Sequence, residues 1–243
     1  MFTKLFILFV LFNIHSGLKS ETRDTINIKV SSRGHILLPV SIDGKKNGYM
    51  IFDTGASNTC IQPEEAEKLN LKAIGKTNVS YSGKNQSAIQ PMFSLGSRLS
   101  IKNLSFKNLF VYGIDLSHND HYNCDSVFGI IGMDIIRLGV WEFLLDQNIV
   151  IFNKSFNYTT KDLKEYQSIK LHTPRGGGGR PYLYIKTGRW KKHRFLFDTG
   201  FNSILSIRNS ELKKYKTRKI FAKGEAFGSS GLGISKPSYF ETG

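Results

Sequence analysis

Several things are scarce in this chain of 243 residues. It has only two cysteines, Cys60 and Cys124, which excludes a disulfide-stapled miniprotein and gives no zinc-ligand spacing. The two could pair in an oxidising compartment or stay apart as buried thiols, and separate thiols are the favoured reading. No HExxH string and no Ser-His-Asp context occurs. His118 and His121 stand beside Asp115 and Asp120, but in a polar loop with no helix to fix a ligand geometry, so no metal or other cofactor is expected. Long apolar runs are also missing. Leu5 to Phe12 is too short for a comfortable membrane span, and nothing later is apolar enough. With Lys4 before it and small or polar residues from Ser16 to Ser20 after it, that run has the pattern of a signal peptide. Residues 1–20 are therefore expected to be removed and the protein to be exported, whether periplasmic, in the cell envelope or secreted.

Acidic residues are few as well. There are 19 Asp and Glu against 34 Lys and Arg, a formal net charge of +15, and losing Lys4 and Lys19 with the leader leaves 15 − 2 = +13. Such a surplus attracts polyanions. Its densest stretches, Arg189 to Arg194 and Lys213 to Lys219, carry no nucleic-acid fold signature and are read as solvated basic faces. Nucleic acid is not an expected partner; an anionic lipid or polysaccharide surface stays open as one.

What the chain does have is glycine, 23 residues, and 12% aromatics, which suit a mainly β protein with tight turns and enough length to bury a core. It also has an internal repeat. Leu38 to Ile42 followed by Tyr49-Met-Ile-Phe-Asp-Thr-Gly55 is echoed by Tyr182 to Ile185 followed by Arg194-Phe-Leu-Phe-Asp-Thr-Gly200. Each unit is an alternating apolar strand, a basic turn (43–48 and 187–192), a second apolar strand, then Asp-Thr-Gly, at a constant offset of 198 − 53 = 145. Between the units, Thr173-Pro-Arg-Gly-Gly-Gly-Gly-Arg180 is expected to be a flexible surface connection. The organisation that follows is a signal peptide at 1–20, a first lobe at 21–173, a glycine-rich linker at 174–180 and a second lobe at 181–243. Gln62 to Leu69 is expected to form a short helix, with proline and acids in its first turn. Val79 to Ile89 and Leu99 to Val111 are β-like, and Val140 to Phe152 reads as a hairpin turning at Asp146 to Asn148.

A carboxylate closing a buried strand is poorly solvated and needs a partner. Two such units in one chain suggest that Asp53 and Asp198 meet across a pseudo-twofold axis. Two carboxylates in one site cannot both ionise easily, so the pair holds one proton and offers an acid and a base together. The hydroxyls of Thr54 and Thr199 can tie the two loops together, and Gly55 and Gly200 allow the backbone to approach the carboxylates closely.

Asp53-Thr-Gly-Ala-Ser57 together with Phe128-Gly-Ile-Ile-Gly-Met-Asp134 resembles the retropepsin-like aspartic proteases, including exported bacterial members. The resemblance covers Gly34 to Phe152 well and Arg180 to Gly243 less fully. It implies a bilobal acid-protease β-barrel with pseudo-twofold lobes, and an aspartic endopeptidase that activates water on a paired-carboxylate dyad with no cofactor. It makes Ile130, Ile131 and Gly132 the buttress behind the catalytic loop. It also implies flaps over a polypeptide substrate, carrying Tyr81 and Gly83 in the first lobe and Phe227 and Gly228 in the second. The sequence departs from the family in two ways. Phe201 replaces a small residue after the second triplet, and the chain ends 45 residues beyond Asp198 without a second buttress, so the second lobe is expected to be incomplete and the chain a fragment. Ala56, where acid-adapted members place a hydroxyl, implies a mildly acidic optimum. A single chain with pseudo-dimeric lobes is favoured. A homodimer pairing Asp53 with its symmetry mate, and a peptide-binding barrel without turnover, are the alternatives.

Overall fold

The computed structural model describes residues 23–80, 87–96, 98–116, 126–155, 169–186, 192–201, 217–223 and 238–242. Its strands are β1 (Arg23–Asn27), β2 (Lys29–Val30), β3 (Ile36–Ile42), β4 (Lys46–Phe52), β5 (Cys60–Ile61), β6 (Lys72–Ser80), β7 (Ser87–Leu95), β8 (Leu99–Ile101), β9 (Leu104–Phe106), β10 (Leu109–Gly113) and β11 (Val127–Ile131). After these come β12 (Val140–Leu144), β13 (Ile149–Asn153), β14 (Tyr182–Lys186), β15 (Lys192–Leu196), β16 (Thr217–Lys223) and β17 (Ser238–Thr242). The two α-helices among the described residues are short, α1 (Pro63–Lys68) and α2 (Met133–Ile136). The protein is mainly β, as expected, and none of its described helices is long and apolar enough to cross a membrane.

Strands β1 to β13 make two sheets. One runs β1-β13-β12; the other has ten strands in the order β6-β7-β10-β5-β11-β4-β3-β8-β9, with β2 on β3. In the second sheet β11 lies between β4, to which it is parallel, and β5, to which it is antiparallel. All five of its residues are buried because both faces of the sheet are covered there. Phe128 and Ile131 join Leu38, Met50, Phe52 and Trp141 in the main core, whereas Val127 and Ile130 join Leu37, Ile51 and Cys60 in a smaller one. A strand buried on both sides reads as a continuous apolar run. In the main core Phe52 meets Trp141 and Phe143 edge-on at 5.3 and 5.0 Å, and Trp141 meets Phe152 at 4.8 Å. The indole N–H of Trp141 donates to the Ile136 carbonyl at 2.8 Å, so the ring is buried without an orphaned donor.

The helix expected at 62–69 is present, with Pro63 at its start and Glu64 and Glu65 in its first turn. The hairpin expected over 140–152 turns through a 3-10 segment at Leu145–Gln147, and Asn148 takes the left-handed conformation. The first basic turn is tighter than expected. Lys46 already pairs with Ile42, so only residues 43–45 turn, with Asp43 and Gly44 at positive φ, and Lys46 to Gly48 are strand. The hairpins β3–β4 and β14–β15 share one register. Leu37 pairs with Ile51 and Tyr182 with Leu196, each partner displaced by 145 residues.

Candidate active site

Strand β4 ends in the buried Phe52 and delivers Asp53, 4% exposed, to the start of a tight loop. The Asp53 N–H donates to the Ile131 carbonyl at 3.0 Å, so the loop begins tied to the end of β11. Oδ1 of Asp53 accepts from the N–H groups of Gly55 at 2.7 Å and Ala56 at 3.1 Å. Asp198 follows β15 in the same way but accepts one such bond, from the Gly200 N–H at 2.9 Å.

The two loops grip each other through their threonines. The Thr54 N–H donates to Thr199 Oγ1, and the Thr199 N–H to Thr54 Oγ1, each at 3.0 Å. Each hydroxyl then donates across to the other unit, Thr54 to the Phe197 carbonyl at 2.7 Å and Thr199 to the Phe52 carbonyl at 2.8 Å. The glycines complete the exchange. A Cβ on Gly55 would lie 2.5 Å from the Asp198 carboxyl, and one on Gly200 would overlap the Asp53 carboxyl. The expected meeting of Asp53, Thr54 and Gly55 with Asp198, Thr199 and Gly200 is therefore what the structure places together.

The carboxyls of Asp53 and Asp198 are in hydrogen-bonding contact. Burial first, then the charge and hydrogen bond of Asp53, push Asp198 up to about 8, from an ordinary 3.8. Its bond from Gly200 and the nearby Arg180 oppose the shift.

Ile130, Ile131 and Gly132 stand behind the first loop. Ile130 and Ile131 pair with Ile51 and Phe52, and Gly132 packs where a Cβ would run into the Asn58 backbone. The Met133 N–H donates to the Ala56 carbonyl at 2.9 Å, and the Gly132 N–H to Thr59 Oγ1 at 3.3 Å. Thr59 Oγ1 in turn donates to Asp134 Oδ1 at 2.8 Å, and burial pushes the Asp134 carboxyl up, with Thr59 opposing. Thr59 and Asp134 were not singled out by sequence reasoning. The only signal was the polar Asp134 ending an otherwise apolar motif.

The expected flap residues Tyr81, Gly83, Phe227 and Gly228 lie outside the described residues, as do Cys124, His118, Asp120, His121 and residues 1–20. The antiparallel strand pairs β6–β7 and β16–β17 are described on either side of these two segments. Among the described residues no cluster of His, Cys, Asp or Glu could hold a metal ion. Cys60 is a free, buried thiol. The glycine linker, expected as a flexible surface connection, lies at the surface; its turns are hydrogen-bonded and Gly178 rests on Ser57. A groove of about 660 Å³ along β3 and β4, lined in part by Pro39, Tyr49 and Lys102, includes neither aspartate.

Residues 38–135 match the family described as aspartyl protease, a stretch that holds Asp53 and the Ile130-Ile131-Gly132 triplet. Among solved structures the chain is similar to a retropepsin-like aspartic protease from Rickettsia conorii, at 21% identity and a TM-score of 0.38, covering 56% of this chain and 96% of that one. No curated protein matches.

Proposed function

We propose that the protein is an aspartic endopeptidase in which Asp53 and Asp198 of one chain hydrolyse peptide bonds in an extended polypeptide. The observation that carries this reading is the reciprocal threonine grip, which brings the buried Asp53 and the half-buried Asp198 together from positions 145 residues apart. The two carboxyls are not equivalent. Asp53 takes two backbone N–H bonds on Oδ1 and Asp198 takes one, while burial favours the neutral form of Asp198. Hydrogen bonds to a carboxylate stabilise its charge. Asp53 is thus the base that takes a proton from a water lying between the two, and Asp198 is the acid that donates to the peptide carbonyl oxygen. Water attacks, and the tetrahedral intermediate collapses as the leaving nitrogen gains a proton. Substrate enters as an added strand with pockets for alternate side chains.

In this reading residues 21–173 and 181–243 are two lobes joined at 174–180, the working unit is one chain, and the protein is exported after loss of residues 1–20. Its basic surplus is available to an anionic envelope surface. Cleavage of a denatured-protein or peptide library by the wild-type chain, blocked by a statine-type inhibitor and abolished in both Asp53→Asn and Asp198→Asn, is the expected result. Retained cleavage in Asp198→Asn alone would point to Asp53 pairing with a second copy. Inhibitor binding without cleavage by the wild type would refute turnover.

A further inference from the structure

The glycine loop brings one more charged group to the pair. The Gly177 N–H donates to the Pro174 carbonyl at 3.1 Å and the Arg180 N–H to the Gly177 carbonyl at 3.3 Å, so residues 174–180 form two linked turns. Gly178, at φ +64°, lies against Ser57, where a Cβ would collide with that side chain, and Gly179, at φ +77°, faces the Met133 side chain. The loop therefore rests on both the Asp53 loop and the helix behind it. Beyond the loop, the Phe197 N–H donates to the Pro181 carbonyl at 2.9 Å, which extends the β14–β15 ladder past the Tyr182–Leu196 pair. One further step along that antiparallel register sets Arg180 opposite Asp198. Arg180 Nε donates back to the Gly177 carbonyl at 3.1 Å, so the half-buried guanidinium is held in place and not free to swing away. The charged groups acting on Asp198 include Asp53 from the first unit and Arg180 from this loop.

We propose that Arg180 is a positioning residue of the pair: the glycine loop holds its guanidinium beside Asp198 so that this carboxyl, kept neutral by burial and by Asp53, can still give up its proton during turnover. An arginine keeps its charge throughout the working pH range, so the field it supplies is constant. The proposal rests on the catalytic reading of the pair, yet the coupling between Arg180 and Asp198 can be read without any substrate.

The test is a carboxyl-carbon NMR titration of the full chain, with the Asp198 signal assigned by its loss in Asp198→Asn. In Arg180→Gln the Asp198 midpoint is expected to rise by roughly half a unit to one unit, the size of a single screened charge. Arg180→Lys keeps the charge and is expected to stay within about 0.3 units of wild type. Arg175→Gln, which removes a charge from the exposed start of the same loop, is expected to leave the midpoint in place. In active protein the alkaline limb of kcat/KM rises by the same amount in Arg180→Gln. An unmoved midpoint in a folded Arg180→Gln overturns the proposal. If that variant does not fold, a lysine variant whose midpoint climbs a full unit overturns it equally. A wild-type chain that cleaves nothing but shows the coupling sinks the catalytic reading alone; a cleaving chain without the coupling sinks this inference alone.

Discussion

Replacing Thr199 by valine isolates the energy that holds the two aspartate loops together. Valine nearly preserves shape, but it removes the acceptor of the Thr54 N–H and the donor to the Phe52 carbonyl. Thr54 and Phe52 are both fully buried, at 0% exposure, so water cannot readily replace either bond. At about 1–3 kcal/mol for each buried group left without a partner, the loss comes to about 2–6 kcal/mol. The mirror change, Thr54→Val, strands the Thr199 N–H and the Phe197 carbonyl. Those residues are only half-buried, so water can recover part of the loss, and about 1–3 kcal/mol is expected. Thr199→Ser keeps the hydroxyl and is expected near wild type. Urea unfolding followed by tryptophan fluorescence gives the global cost, and amide exchange at Thr54 reports the grip itself. A valine variant with the same midpoint and the same Thr54 exchange as the serine variant would refute the reasoning.

Two further outcomes follow from the same loops. Gly200→Ala, whose new methyl would overlap the Asp53 carboxyl, should part the two carboxyls and lower kcat/KM by at least about 100-fold, since small misplacements of reacting groups cost that much; an alanine variant of near wild-type activity would contradict the close approach. Asp198→Asn should gain thermal stability over wild type as pH rises. The folded state holds Asp198 neutral up to about 8 while the unfolded chain ionises near 3.8, so the wild type loses stability across that window and asparagine does not. Melting curves that stay parallel from pH 4 to pH 8 would count against the raised Asp198.

The parts legible in the sequence were those with local or repeated signals. The strands before each Asp-Thr-Gly alternate or run apolar, and the shared 145-residue offset reappears as a shared hairpin register. Helix α1 announced itself by Pro63 and its acids. Strand β1 went unread because its five residues alternate only weakly and its partner, β13, lies far along the chain. The start of β6 went unread because Lys72 to Lys76 are exposed and lack an alternating apolar pattern, with Gly75 at a break in register. Glycine composition at 176–179 says that a backbone can turn, not what it turns against, so the contact with Ser57 was hidden. The place of Arg180 beside Asp198 follows from cross-strand register, and the Thr59–Asp134 bond spans 75 residues. Neither has a local signature.

Strand β11 sits between β4 and β5, although it is made more than 60 residues after them. On the ribosome the Asp53 loop is therefore synthesised long before its backing exists. The Asp53 N–H must wait for the Ile131 carbonyl, and Thr54 for Thr199. Pairings that distant form late, after costly loop closure. A partly made chain thus carries Asp53 without its backing strand and uncoupled from Asp198 until the second unit has arrived.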